Sequence, residues 1–161
     1  MLNLQGGSSV MNTLRALAVA CVAAWLGIMA FFSFVAAPGL FQAIDRQAAG
    51  EAVAALLPAY YRWGITLSAL AVGALLVVAA RRRDGRGRDL AAAALGGVTV
   101  ALLAWTLGVR VPAAEDARRV RDDQRFAAAH RDAVRLNLVV MLCAAAFVAL
   151  QTFTPAARRD G

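Results

Sequence analysis

Four long apolar runs alternate with shorter polar segments along this chain, over residues 16–37, 60–80, 90–109 and 136–153. Each is close to the roughly 20 residues a helix needs to cross about 30 Å of hydrocarbon. The pattern predicts four spanning helices. The first run also resembles a secretory signal, with Arg15 before it and "VAA" at its end. It is longer than the about 7–15 residues of a signal core, and a cut there would leave Pro38 at the new terminus. A retained span is the better reading.

The polar segments have their own patterns. Residues 1–15, "MLNLQGGSSVMNTLR", are polar and contain Gly and Ser, so disorder is expected over 1–12. Met11 offers a second start. In residues 38–58, Pro38-Gly39 predicts the end of the first span. The following mixture of Leu40, Phe41, Ile44, Leu56 and Leu57 with Gln42, Asp45, Arg46 and Glu51 predicts a short amphipathic helix on the membrane surface. "RRRDGRGRD" (residues 81–89) is a tight basic turn. Arg110 and Pro112 are expected to close the third span. Residues 113–135 are charged helix formers that lead, outside the hydrocarbon, into the fourth. "TPAARRDG" is a polar tail over 154–161. One membrane domain over 13–153 follows, an all-α integral membrane four-helix bundle with short amphipathic extramembrane helices.

Composition agrees. The chain has 161 residues, 61% of them hydrophobic. Its mean hydropathy is +0.62. The net charge is +7, and all seventeen basic residues are arginine. Because they fall between the spans or at their ends, headgroups and topology explain them without nucleic acid. Counting arginines does not orient the bundle, since eight fall on the side of the termini and nine on the other. Local density does better. Five arginines crowd residues 81–88 between two close spans and resist translocation. Both termini are therefore expected in the cytoplasm of an inner-membrane protein, with the 38–58 and 113–135 segments outside. The partner is the lipid bilayer. Small residues at four-residue spacing, such as Ala16, Ala20 and Ala24, let helices pack closely and also permit a homo-oligomer.

No dense catalytic or metal-binding set is evident. There is one histidine, no lysine, and two cysteines, Cys21 and Cys143, each inside an apolar run. No phosphate loop or paired metal motif occurs. A non-enzymatic protein without cofactor is expected. Haem held by His130, or copper(I) on sulfur and imidazole, is one alternative, and a non-catalytic membrane scaffold or oligomer is the other. The most informative polar set is a helical stripe, Phe126, His130, Ala133 and Asn137, which enters the membrane at Asn137. Buried polar groups in lipid seek partners, and Arg110, Asp45, Arg46, Glu51 and Arg62 lie on the same side. The stripe reads either as a hydrogen-bonded cluster tying helices together or as a site for a solute, ion or headgroup.

"FFSFVAAPGLF", "AGEAVAALLPAYYRWG", "RVP" and "FAAAHRDAVRLN", in this order, resemble the transmembrane protein 205-like family, domain of unknown function 4149. The likeness covers roughly 13–153. It rests on Pro38, Leu40 and Phe41; on Pro58, Tyr60 and Tyr61; on Pro112; and on Phe126, His130 and Asn137. Ala133 stands where that pattern has serine. The resemblance implies a four-helix membrane bundle, distantly similar to copper-resistance D-like proteins, and it implies no established activity. With it, the candidate site comprises His130, Asn137, Phe126, Arg110, Pro38 and Tyr61.

Overall fold

The computed structural model describes residues 3–82, 85–120 and 123–153. In chain order it contains α1 (Asn3–Phe31), a first π turn (Phe32–Ala36), α2 (Ala37–Ala43), α3 (Arg46–Arg81), α4 (Arg86–Trp105), a second π turn (Thr106–Arg110), α5 (Val111–Arg119) and α6 (Asp123–Thr152). The described residues contain no strand.

Four continuous helical stretches are long and apolar enough to cross a membrane: Gly7–Ala43, Arg46–Arg81, Arg86–Arg119 and Ala127–Thr152. At about 1.5 Å per residue the longer ones exceed the hydrocarbon thickness, so their ends project from it. Their outer faces are apolar. Leu70, Leu76, Val98 and Leu142 are exposed on them, as lipid contact requires. The core is buried between the helices and centres on Trp25, Met29, Leu75, Leu103 and Phe147.

The breaks differ from those expected. Pro38 does not end the first span. The helix widens into a π turn, closed by the Ala37 N–H bonding back to the Phe32 carbonyl, and Pro38 follows near the start of α2. A proline inside a regular helix removes one hydrogen bond and clashes with the carbonyl four residues back. A π turn changes that register. The same device recurs at Thr106–Arg110, where the Val111 N–H bonds to the Thr106 carbonyl just before Pro112. Arg110 and Pro112 therefore do not close the third helix, which runs on into α5. The true corner lies at Ile44, which is extended, and Asp45, whose carboxylate caps α3 by accepting from Gln47 N (2.9 Å) and Ala48 N (3.1 Å). From Arg46 the helix continues through Pro58 into the second span. The amphipathic segment is thus mostly the projecting start of a spanning helix. Residues 3–12, whose composition suggests disorder, are helical. The tail 154–161 lies outside the described residues.

α1 and α4 each pack against both α3 and α6. This square arrangement contains a repeat. Span, π turn, proline and long return helix occur twice. The π turns begin at Phe32 and Thr106, 74 positions apart, and the prolines Pro38 and Pro112 have the same spacing. Burial follows. Ala18, Val22, Trp25 and Met29 are buried on α1; Ala92, Gly96, Thr99 and Leu103 are buried on α4. Between the return helices the offset is 76. Residues 62–72 and 138–148 show the same order of buried, half-buried and exposed positions, so that Gly64, Ser68 and Ala71 match Val140, Ala144 and Phe147. The bundle is two α-hairpins related by a pseudo-twofold axis along its length. Such parallel repeats are a recurring membrane-protein plan.

Close approach depends on glycine at two positions. A Cβ on Gly64 would lie 2.6 Å from Cε2 of Trp25, so the indole rests directly on the α3 backbone. A Cβ on Gly96 would lie 2.6 Å from Cγ2 of Val72, which sets the distance between α3 and α4.

Candidate functional site

The two ends of the bundle carry different polar contacts. At the end holding the chain's N-terminal helix start, Asp89 is fully buried in the first turn of α4. It accepts from Arg15 Nε (3.1 Å) and Nη2 (2.5 Å), and from Gln151 Nε2 (3.4 Å). One carboxylate thus joins α1, α4 and α6. Arg15 and Asp89 are repeat counterparts, 74 positions apart, so this ion pair lies across the pseudo-axis. Gly85 makes room for it. Its φ of +74° suits glycine, and a Cβ there would come 3.2 Å from Arg15 Nη2. Nearby, Arg82 Nη1 donates to Asn12 Oδ1 at 3.0 Å.

The other end holds both π turns and the hydrogen bonds of Asn137. Tyr60 Oη donates to Asn137 Oδ1 at 2.7 Å, and Asn137 Nδ2 donates to Ser33 Oγ at 3.0 Å. A single amide therefore ties α6 to α3 and to the first π turn. The same nitrogen also lies 3.8 Å from the Met141 sulfur, a weak acceptor. Beside it lies a narrow crevice lined by Tyr61, Leu103, Thr106, Ala133, Leu136, Asn137 and Val140, without room for a water molecule between the side chains. Thr106, the first residue of the second π turn, donates its hydroxyl to the Leu102 carbonyl at 2.7 Å.

Of the residues expected from sequence, Asn137 and Tyr61 meet at this crevice. His130 does not reach it. It is exposed on α6, seven residues before Asn137 and near the N-terminal end of the helix. Arg110 serves a neighbouring contact, pairing with Asp132 at 3.3 Å and lying over the Trp105 ring at 4.6 Å. Pro38 is exposed and acts on the backbone. The side chain of Phe126 lies outside the described residues. Sequence reasoning missed Ser33 and Tyr60 as partners of Asn137, and it missed the Arg15–Asp89 pair altogether. The only advance signal was polarity within or beside an apolar run, and it named no partner. Among the described residues, no group of three or more His, Cys, Asp or Glu side chains is placed to hold a metal ion. Cys21 and Cys143 are free thiols.

The hairpins surround two clefts related by the pseudo-axis, and they are filled differently. Between α1 and α3, Trp25 packs on Tyr60 (ring centroids 4.7 Å apart), Phe32 on Tyr60 (4.9 Å) and Tyr60 on Tyr61 (5.2 Å). The counterparts of Trp25, Phe32 and Tyr60 between α4 and α6 are Thr99, Thr106 and Leu136. Three rings fill the first cleft, whereas the second has the Tyr61 ring on the crevice wall and the buried Phe147 against α4 near Gly96.

Four apolar helices of spanning length and a polar cluster inside one end define a multi-pass membrane protein. Its residues 20–122 match the family described as Domain of unknown function (DUF4149), and the chain belongs to that family. It is also similar to an uncharacterized protein of Aquifex aeolicus (strain VF5), 45% identical over 51 residues, which are 32% of this chain and 39% of that protein. The match thus spans well under half of the relative's length. No solved structure matches.

Proposed function

We propose that this chain is a non-enzymatic inner-membrane protein, a single domain over 13–153 with both termini cytoplasmic, whose π-turn end holds a binding site for a small molecule taken from the membrane or the outer face. Within its family we place it with the transmembrane protein 205-like members, and we assign it a transport- or stress-related role. The observation that carries the site is the Asn137 amide. It spends its hydrogen bonds on Tyr60 and Ser33 across three elements, at the wall of a narrow crevice. Polar side chains within a span are costly and concentrate where membrane proteins handle solutes. π turns also occur frequently at functional sites, and two of them bracket this one.

The test extracts small molecules from the wild-type protein and from Asn137→Leu, both purified in their native lipid. A compound retained at about one per chain by the wild type and lost from the variant is expected. Equal contents in the two samples would sink the site. Asn137→Leu strands the Tyr60 hydroxyl, so unfolding in denaturing detergent is expected to shift by about 1–2 kcal/mol, the usual cost of an unpaired buried polar group. Orientation has a separate test. A cysteine at the exposed position Ser9 is expected to react with a membrane-impermeant maleimide in inverted vesicles and not in intact spheroplasts. The opposite pattern reverses the topology.

A further inference from the structure

The end of the bundle where Arg15 meets Asp89 gathers charge of one sign. Among the described residues there, five arginines, Arg15, Arg81, Arg82, Arg86 and Arg88, face one carboxylate, Asp89. That carboxylate is already engaged by Arg15 and Gln151. Arg83 and Asp84 cancel each other in charge. The local contacts draw the guanidinium groups together. Arg82 is tethered to α1 through Asn12 (3.0 Å), and the Nη2 atoms of Arg15 and Arg88 lie 3.2 and 3.8 Å from where a Gly85 Cβ would stand. Like charges gathered in this way repel, and an anion among them relieves the repulsion. Arg81 and Arg86 stand outside these contacts. Both are exposed, and neither has a side-chain partner among the described residues.

We infer that this end binds an anionic phospholipid carrying two phosphates, held by Arg81 and Arg86 across the turn that joins α3 to α4. The phosphate comes from the chemistry of the side chain. A guanidinium presents a planar fork of donors that matches phosphate oxygens with two parallel bonds. The lipid comes from what adjoins each arginine. Arg81 ends an exposed stripe of α3 formed by Leu70, Gly73 and Val77, and Arg86 begins one of α4 formed by Leu90, Ala94 and Gly97. Neighbours three or four residues apart share one helix face. Both stripes belong to helices of spanning length, so acyl chains run beside them. A Cβ on Gly73 or Gly97 would meet nothing within 4 Å, so neither stripe is covered by another helix at that level. A lipid phosphate at either arginine therefore has its own chains alongside the stripe, whereas a soluble anion gains nothing from it. Two phosphates follow from two exposed, unpartnered guanidinium groups on two helices. A headgroup with one phosphate leaves most of the surplus charge unmatched. Basic clusters at the ends of spanning helices recognise anionic headgroups on the same physical grounds.

The test titrates the full chain, in detergent micelles, with tetraoleoyl cardiolipin and counts bound lipid by native mass spectrometry. Dioleoyl phosphatidylglycerol and dioleoyl phosphatidylcholine are the one-phosphate and zwitterionic comparisons. One cardiolipin per chain is expected, bound about tenfold more tightly than phosphatidylglycerol, with phosphatidylcholine weaker still. Arg81→Gln combined with Arg86→Gln is expected to weaken cardiolipin by about tenfold or more. The pair removes no contact among the described residues, so thermal unfolding without lipid should match that of wild type. Arg46→Gln combined with Arg131→Gln removes two exposed arginines at the opposite end and is expected to bind like wild type. Equal losses from the two double variants would mean diffuse attraction to a basic protein and would overturn the site. Phosphatidylglycerol bound as tightly as cardiolipin overturns the two-phosphate assignment. Inorganic pyrophosphate that displaces cardiolipin at equal concentration overturns the lipid one. Should the first double variant unfold, the single variants decide. Each is expected to weaken cardiolipin about fivefold, and unchanged binding in both, folded, overturns the inference.

Discussion

Asp89→Ala is expected to lower stability by about 3–5 kcal/mol, the usual result of removing one member of a buried ion pair. The carboxylate is fully buried, while the Arg15 side chain keeps 19% of its exposure. Removing Asp89 leaves the Arg15 guanidinium without its bidentate partner, and it frees Gln151 as well. Three helices lose their common anchor. The reading is the denaturing-detergent midpoint of purified protein, and a variant that unfolds with the wild type would show that apolar packing alone holds this end. Asp89→Leu combined with Arg15→Leu is expected to recover most of the loss, because apolar replacement of a whole buried pair is often neutral. Exchanging the charges, Arg15→Asp with Asp89→Arg, tests the pseudo-symmetry. The two positions are counterparts, but the space beside Arg15 comes from Gly85, whose own counterpart is Met11. Recovery should therefore be partial, and it should improve when Met11→Gly is added.

The spans were legible because apolar runs of about 20 residues have few alternatives as structure. Their ends were not. Pro38-Gly39 and Pro112 are ordinary stop signals in a single sequence, and the π turn that carries the helix past each of them is a backbone event with no fixed residue signature. Asn137 was legible as a polar residue inside a span. Its partners were not, since Ser33 is 104 positions away and Tyr60 is 77. The helical stripe that led from His130 to Asn137 is real geometry, but burial changes along it: His130 is exposed and Asn137 half-buried. Asp89 read as one charge in a basic turn, because nothing local shows that Arg15 lies opposite.

The repeat escaped sequence reading for a related reason. Lipid and core are both apolar, so the two halves keep one packing frame while most residues change. Ala18 and Ala92 agree, but Trp25 has become Thr99 and Gly64 has become Val140. What persists is the order of inward and outward positions, together with the offset of π turn and proline. Divergence within a fixed frame is also what allows the halves to differ in role. One cleft can become packed structure and the other a site without disturbing the crossing of the helices. The polar pair at the far end fits this division. A buried, charge-assisted contact fixes that end while the π-turn end keeps the weaker bonds.

Trp25→Thr, which gives the first cleft the residue found in the second, is expected to cost about 3–5 kcal/mol, as for other large-to-small changes of a buried tryptophan. Trp25 is fully buried and packs on Tyr60, so its loss opens a void that neither α1 nor α3 is free to close. Gly64→Val alone is expected to be harmful too, by about 1–3 kcal/mol of overpacking, because the added carbon meets the indole at Cε2 and Cζ2. Together the two substitutions install the Thr99–Val140 combination that the other half already tolerates. The double variant is therefore expected to be more stable than Trp25→Thr, with the two changes coupled favourably in a double-mutant cycle. Losses that simply add would mean that the second half's frame does not transfer to the first, and the pseudo-twofold relation would then be one of helix placement without equivalence of side-chain sites. Favourable coupling would show that the first cleft accepts the Thr99–Val140 manner of packing at equivalent positions.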